Sequence, residues 1–386
     1  MMPRLPFEQA KRGNNIKKFS SFGALVASSV LTMGVIAALA GPASAAAAAG
    51  TQPATYVSTT GTDAGSCAST APCATMTYAE SQTAIGGTIH VAAGTYYQTV
   101  DLTQPITLKG SGKSATIING TGIDYQSDGN LGLIYITNTS GTSGTIAITG
   151  VTVTDPYITA NEQSLDSSPA DIANYDSQSG DMVTVTASNL GPSEYESASS
   201  STVEPGLGYY SLSAASTSLV KNVTDTGSWN AFFAEGTGGA TRFQDDTASH
   251  LTGYSAATYG PARGVLGLAD EGGSLSVTAY LDNFTGYAGW GIQGYAGYYT
   301  DTGSLTLDAY HNHFALQADK TGSSPEVAAI QGLVGYGATS SEPDSLTGTF
   351  IRSTGTVASP DLAISVITYY GTESVTSNHN SIKVTH

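Results

Sequence analysis

The chain has 386 residues, 40% of them hydrophobic and only 11% charged, with 46 glycines and a formal net charge of −17. A charged fraction this far below the roughly 25% usual for soluble domains reflects missing bases rather than surplus acids. That excludes DNA or another polyanion held through a basic patch, and glycines spread throughout exclude a stack of helices.

Residues 1–45 read as an export signal. Arg4, Lys11, Arg12, Lys17 and Lys18 make a basic leader, Phe22 to Ala40 is apolar, and Ala43-Ser44-Ala45 offers a small-x-small cleavage site. The apolar run is nearly long enough to span a bilayer, but the polar Ser/Thr-rich chain after it favours removal over anchoring. Removal takes five of the 13 Lys and Arg and one of the 30 acids, leaving 8 bases against 29 acids. The expectation is a secreted, extracellular chain with no membrane contact and no nucleic-acid partner, solvated by Thr, Ser, Gly and Asn in place of charge.

After the signal, a strand near Tyr56 leads into a short loop bounded by Cys67 and Cys73, six residues apart. In an exported chain such a pair reads as an intramolecular disulfide. Thr77 to Ala84 then predicts a short helix covering the open edge of whatever follows. The runs Thr145 to Thr154 and Asp181 to Ala187 alternate with period two and are β-branched, so they read as strands.

Further on the sequence repeats. Gly273 to Phe284, GSLSVTAYLDNF, recurs as Gly303 to Phe314, GSLTLDAYHNHF, and degenerate relatives begin near Ser211, Gly239, Asp344 and Ser374. Between them lies a second apolar run, as at Val265 to Leu268, Gly291 to Gly294 and Ala329 to Gly332. Units of 30 to 41 residues with two strand-like runs each describe a solenoid, whose units bury their apolar faces only by stacking. A propeller needs about four strands per blade, and a tandem of sandwiches needs hairpin turns that are scarce here. Stacking at about 4.8 Å places Tyr280 over Tyr310 and Phe284 over Phe314. It also groups His250, Asn283 and His313 in one column of ladder or turn residues. Ser374 to Val384 reads as a final coil with no C-terminal cap of its own.

The stretch from Tyr56 to Tyr96, with its Cys-bounded loop, helix, Gly86-Gly87 turn and Val-Ala-Ala-Gly-Thr-Tyr close, resembles the start of secreted right-handed parallel β-helix proteins of the pectate-lyase-like superfamily. The resemblance implies an all-β fold, a single right-handed parallel β-helix over 46–386, with 46–110 as N-terminal cap and first coils. Characterised members are mostly polysaccharide lyases, glycoside hydrolases and esterases, beside tailspikes and adhesins, and their sites lie on one outer face of the helix.

Two chemistries test the residue supply. A lyase needs a base aimed at the C5 proton of a uronate, and Arg263 is the best placed of the arginines. A hydrolase needs carboxylates on adjacent coils. Asp245-Asp246 and Asp270-Glu271 are 25 residues apart, about one coil, with His250 near to tune one of them. The superfamily's paired Asp followed by His-Gly, and its Arg-x-Lys, are absent. Tyrosines outnumber phenylalanines 22 to 9, and Tyr254, Tyr287, Trp290, Tyr295 and Tyr298, in Gly-flanked segments, offer flat faces with polar edges for sugar rings. Trp290 in particular is expected to stand free as a sugar platform, dispensable for stability. No cofactor is called for; calcium stays open, with no ligand set standing out. The expected function is binding to, or display on, extracellular or cell-wall polysaccharide through one lateral face. The alternatives are a polysaccharide lyase or glycoside hydrolase, and an adhesin or structural surface protein.

Overall fold

The computed structural model describes residues 50–123, 132–154, 170–191, 194–196, 203–212, 215–236, 238–252, 262–269, 272–287, 289–298, 302–317, 328–336, 344–358 and 363–385. The expected export signal lies outside them. Within them the chain winds into a right-handed parallel β-helix. Each full coil contributes one strand to each of three parallel sheets, of eleven, ten and nine strands. One coil runs Gly273–Tyr280, Asn283–Tyr287, Trp290–Tyr298, and the next runs Gly303–Tyr310, His313–Gln317, Ala328–Tyr336. The exception to parallel pairing is a short antiparallel pair, Glu194–Glu196 with Val203–Pro205.

The repeat fixes the register. Gly273 pairs with Gly303, Tyr280 with Tyr310, and Phe284 with Phe314, as the alignment requires. Coil length varies because only the connections vary: 23 residues separate the paired Lys221 and Gln244, and 41 separate Tyr310 and Ile351. Each unit carries three strands, the third hidden at the end of the first repeated run, as in Asn283–Tyr287. Ser211 belongs to the nine-stranded sheet, not to the start of a repeat.

Alternation along each strand fills the lumen. Leu275, Val277 and Ala279 point in, while Ser274, Ser276 and Thr278 point out. The outer face of the eleven-stranded sheet is thus largely Ser and Thr over its last four strands, with Tyr280, Tyr310 and Ile351 at the strand ends and little charge. Inside, Phe284 stacks on Phe314 with centroids 5.4 Å apart. That stack dictates the residues opposite it: a Cβ on Gly264 or Gly291 would strike the rings of Phe284 and Phe314 respectively.

The turn from the eleven- to the ten-stranded sheet takes two residues. The first has positive φ, as at Asn222 (54°), Asp245 (58°), Leu281 (60°), His311 (59°) and Arg352 (53°). The second is often a buried polar residue, namely Asp246, Asp282, Asn312 or Ser353. The side chains of Asp246, Asp282 and Asn312 reach back to an amide of the preceding coil, while Ser353 Oγ has no hydrogen-bond partner among the described residues. Asp246 Oδ1 accepts from Val223 N at 2.8 Å, Asp282 Oδ1 from Asp246 N at 2.9 Å, and Asn312 Oδ1 from Asp282 N at 2.9 Å. The ladder expected at a coil corner therefore exists, one residue before Asn283 and His313. Those two stack on each other but face solvent. His250 does not join them, because the strand slips register between Ala248 and Leu251, and Thr247 takes the place opposite Asn283.

The N-terminal end is capped as anticipated, by a helix at Met76–Gln82 whose buried Met76 and Ala79 face the first coil. Thr75 Oγ1 caps it, accepting from Tyr78 N, and Asp63 Oδ1 accepts from Ala74 N and Thr75 N at 2.8 and 2.9 Å. Cys67 and Cys73 form the expected disulfide and are fully buried. At the other end Thr372–Asn378 and Ser381–Thr385 form the final coil, and Tyr369 and Tyr370 stand exposed instead of folding over it.

The Phe314–Gly291 contact yields a coupled test. Phe314→Ala should lose about 3–5 kcal/mol, and Gly291→Ala about 1–3 kcal/mol through its clash with the ring. The double variant should lose less than the sum, because the new methyl enters the space vacated by the ring. Urea titration of the four proteins reads this out, and strict additivity would refute the contact.

Candidate functional site

The nine-stranded sheet has an outer face unlike the other two. Ile172, Tyr209, Phe232, Val265, Ile292 and Ile330 fill the lumen. The residues that follow them, Ala173, Tyr210, Phe233, Leu266, Gln293 and Gln331, point outward. Along the helix axis this outer column begins as a row of aromatic rings. Tyr135 lies 5.3 Å from Tyr175, Tyr175 lies 5.7 Å from Tyr210, and Tyr210 lies 5.0 Å from Phe233, centroid to centroid. All four are half-buried. Tyr210 Oη donates to Glu235 Oε2 at 2.7 Å. Burial first, then the Glu235 charge, raises the Tyr210 phenol, and burial with the adjacent Tyr135 raises that of Tyr175. These phenols stay protonated, so each can keep donating a hydrogen bond.

Beyond Phe233 the row becomes aliphatic. Leu266, Tyr295 and Leu333 form a second apolar cluster, separate from the lumen, with Phe233 and Leu268 packed on it. Beside it runs a polar line. Arg263, 5% exposed, follows Asn230 in the column at the strand starts and precedes Trp290. Its guanidinium carbon lies 4.9 Å from the Trp290 ring centre and 5.6 Å from that of Trp229. Its Nε donates to Gln293 Oε1 and its Nη1 to Asn230 Oδ1 at 3.4 Å. Because a guanidinium can only donate, Gln293 must turn its oxygen toward it. That leaves the Gln293 amide nitrogen for Gln331 Oε1 at 2.6 Å, and the Gln331 nitrogen for Ser365 Oγ at 3.5 Å. The result is a one-directional amide chain across three coils, polarised from its cationic end.

The carboxylates singled out from sequence serve elsewhere. Asp245 and Asp246 sit at the corner between the eleven- and ten-stranded sheets, while Arg263 starts a strand of the nine-stranded sheet. Asp246 is buried and gives both oxygens to backbone amides, those of Val223 and Gln244. Asp245 is partly exposed, 3.8 Å from Lys221 Nζ. His250 has positive φ, 55°, in the bulged strand of the ten-stranded sheet. Asp270, Glu271 and Tyr254 lie outside the described residues. Tyr287 and Tyr298 are placed as strand residues, and their side chains lie outside the description.

Trp290 and Tyr295 belong to a strand, not a loop, and are 3% and 8% exposed. The expectation of a free-standing Trp290 is therefore corrected: its ring is packed against Arg263. Sequence reading missed Asn230, Gln293, Gln331 and the Tyr135–Phe233 row. The recurring Ile-Gln-Gly at 292–294 and 330–332 is the signal that marked the two glutamines as stacked partners.

Further buried acids have structural partners too. Asp225 accepts from Ser228 Oγ at 2.7 Å, and burial pushes its carboxyl up to about 7. Burial, with the neighbouring Asp181, pushes Asp176 up to about 6. Among the described residues no group of three or more His, Cys, Asp or Glu is arranged to hold a metal ion.

No family model and no curated protein matches the chain. Among solved structures it is similar to pectin methylesterase from carrot, at 10% identity and TM-score 0.42 over 84% of this chain and 88% of that one. It is also similar to pectin methylesterase PemA from Erwinia chrysanthemi, at 13% identity and TM-score 0.40 over 81% and 80%. A rhamnogalacturonan lyase aligns at 12% identity and TM-score 0.38 over 79% and 68%.

Arg263 is expected to hold this face together. Arg263→Met should cost about 2–4 kcal/mol, since Gln293 Oε1 and Asn230 Oδ1 both lose a donor in a buried setting. Arg263→Lys should fail to restore it, because an ammonium cannot sit between two indoles and also donate as a fork. Trp290→Ala should likewise lower the melting temperature. Full rescue by lysine in denaturant titrations would contradict this account.

Proposed function

We propose that this is an exported protein that engages extracellular or cell-wall polysaccharide along the outer face of its nine-stranded sheet, by binding or display rather than catalysis. The observation that carries the reading is the Tyr135–Tyr175–Tyr210–Phe233 row. It sets four rings along the helix axis, one per coil or nearly so, each with an apolar face, and three with a phenolic edge, that of Tyr210 already donating to Glu235. A linear glycan offers the matching pattern of flat C–H faces edged by hydroxyls. The few charges around the row suit a hydroxyl-rich ligand better than a polyion. Export is supported by the leader pattern of residues 1–45 and by the disulfide. Binding is preferred over catalysis because Asp246, one of the sequence candidates for an acid, is spent on backbone amides. A carbohydrate-active enzyme on the same face is the second reading, favoured by Glu235, a carboxylate beside the aromatic row.

Affinity electrophoresis of the purified chain in gels carrying neutral and acidic plant, algal and bacterial glycans tests this. Retention by at least one glycan is expected, and Tyr135→Ala and Phe233→Ala should each weaken it several-fold, up to about tenfold, with circular dichroism unchanged. Release of new reducing ends, or of ultraviolet-absorbing unsaturated sugars, that disappears in Glu235→Gln would establish the enzyme reading. No retention by any glycan would sink both.

A further inference from the structure

Two acids occupy consecutive rungs of the corner ladder, Asp246 and Asp282, where the following rungs hold the neutral Asn312, Ser353 and Asn380. Both are 1% exposed. Their settings differ in one respect. Asp246 receives two backbone amides, from Val223 at 2.8 Å and Gln244 at 2.9 Å. Asp282 receives Asp246 N on Oδ1 at 2.9 Å, while its buried Oδ2 makes no full hydrogen bond and has only the weaker electrostatic help of the Tyr280 amide. A negative charge on Asp246 is solvated by those amides. One on Asp282 would be left half-solvated, which a buried carboxylate tolerates far less well than a neutral carboxyl.

Among the described groups around the pair the compensating cation is the partly exposed Lys221, which lies on the solvent side beside Asp245. On the lumen side are Phe243, Ala279, Ala248 and Phe284, all apolar and fully buried. The next coil offers the Asn312 amide. On the solvent side Asp245 adds a second negative charge, partly offset by Lys221 at 3.8 Å. Arg242 stands over the outward Tyr280 ring at 5.1 Å, and His311 meets that ring at 5.9 Å.

We propose that the Asp246–Asp282 pair is a pH-sensitive joint in the wall of the solenoid, closed while Asp282 holds its proton and loosened when both carboxylates are charged one coil apart. Burial, then the neighbouring Asp246, raises the Asp282 carboxyl well above the ordinary range, and burial pushes Asp246 up to about 7. For an acid raised in the folded state, the native protein binds more protons than the unfolded chain between the two pKa values. Stability from this pair is therefore complete below about 3.8, declines as pH rises toward about 7 and beyond, and is not regained at higher pH. Asp225 and Asp176 slope the same way, whereas Asp63, held below its usual value by the amides and hydroxyl it accepts against the opposing effect of burial, slopes oppositely at lower pH.

Thermal unfolding of the purified chain from about pH 4 to about pH 9 tests the joint. The wild-type melting temperature should fall by several degrees across that range. Asp282→Asn, which copies the residue on the next rung, should melt higher than wild type at about pH 8 and show a shallower slope. Asp246→Asn should flatten the slope as well and carries the test if the first variant misfolds, while Asp225→Asn should remove only its own share. Hydrogen-exchange mass spectrometry at one alkaline pH should show residues 240–252 exchanging more slowly in Asp282→Asn than in wild type. Equal slopes in wild type, Asp282→Asn and Asp246→Asn, or an Asp282→Asn protein less stable than wild type at about pH 8, would overturn the proposal.

Discussion

The fold depends on how one backbone amide is satisfied at each tight corner. A chain that turns from one parallel sheet to the next in two residues leaves the amide of the second residue without a strand carbonyl to meet, and a buried unpaired amide is costly. At several corners of this protein a side-chain oxygen one coil later supplies the acceptor, as Asp246 does for Val223 and Asn380 Oδ1 does for Ser353 at 2.8 Å. The preceding residue enters the left-handed region to make the two-residue turn, hence positive φ even at Leu281 and Arg352. Each such bond links one coil to the next at a fixed residue. It therefore sets the register that stacks Phe284 on Phe314 and lines up Tyr135, Tyr210 and Phe233 outside.

This device also accounts for where the acids are. Carboxylates in a chain with so few bases could be a solvated surface or a reactive cluster, and the corners show a third use. Asp181 Oδ1 does at another corner what Asp246 does at this one, accepting from Gly144 N at 2.7 Å, and Asp344 Oδ1 accepts from Gly303 N at 2.9 Å. An acid used as a backbone acceptor inside the wall carries its ligands with it and is unavailable for chemistry on a bound sugar. The outer side of the nine-stranded sheet is built instead from half-buried rings over a buried layer of amides and one guanidinium, groups whose hydrogen-bonding character changes little with pH.

Much of the architecture was legible from the chain itself. The 30-residue repeat dictated register because identical residues stack at identical heights, and the Cys-bounded loop followed by the run from Thr77 to Ala84 announced the cap. What was not legible is instructive. Asn283 and His313 look like ladder residues because they align, yet the ladder is carried by the less conspicuous Asp282 and Asn312 just before them, since only the second corner residue points into the wall. Arg263 and Trp290 look like loop residues between glycines. Yet those glycines are there because Phe284 and Phe314 fill the space opposite Gly264 and Gly291, not because the backbone turns. Pairing of Arg263 with Gln293 joins residues 30 apart, a distance that means contact only once coils are known to stack.

The far end of the solenoid shows the same logic running in reverse. Leu275, Leu305 and Leu346 form one lumen column through three successive coils, and the final coil puts Glu373 in that place. In the parallel columns Phe350 gives way to Ser377, and Gly348 to Val375. Thr368 Oγ1 donates to the Glu373 carboxylate, holding it at the rim. A strand edge with inward apolar residues would invite another strand to add to it, and an inward-facing carboxylate is among the means by which natural sheets prevent that. Any further layer placed on this rim would have to desolvate Glu373 with no base among its described neighbours to receive it, whereas water solvates it freely. The same carboxyl chemistry that joins coils when it finds an amide above it thus discourages strand addition when it faces water.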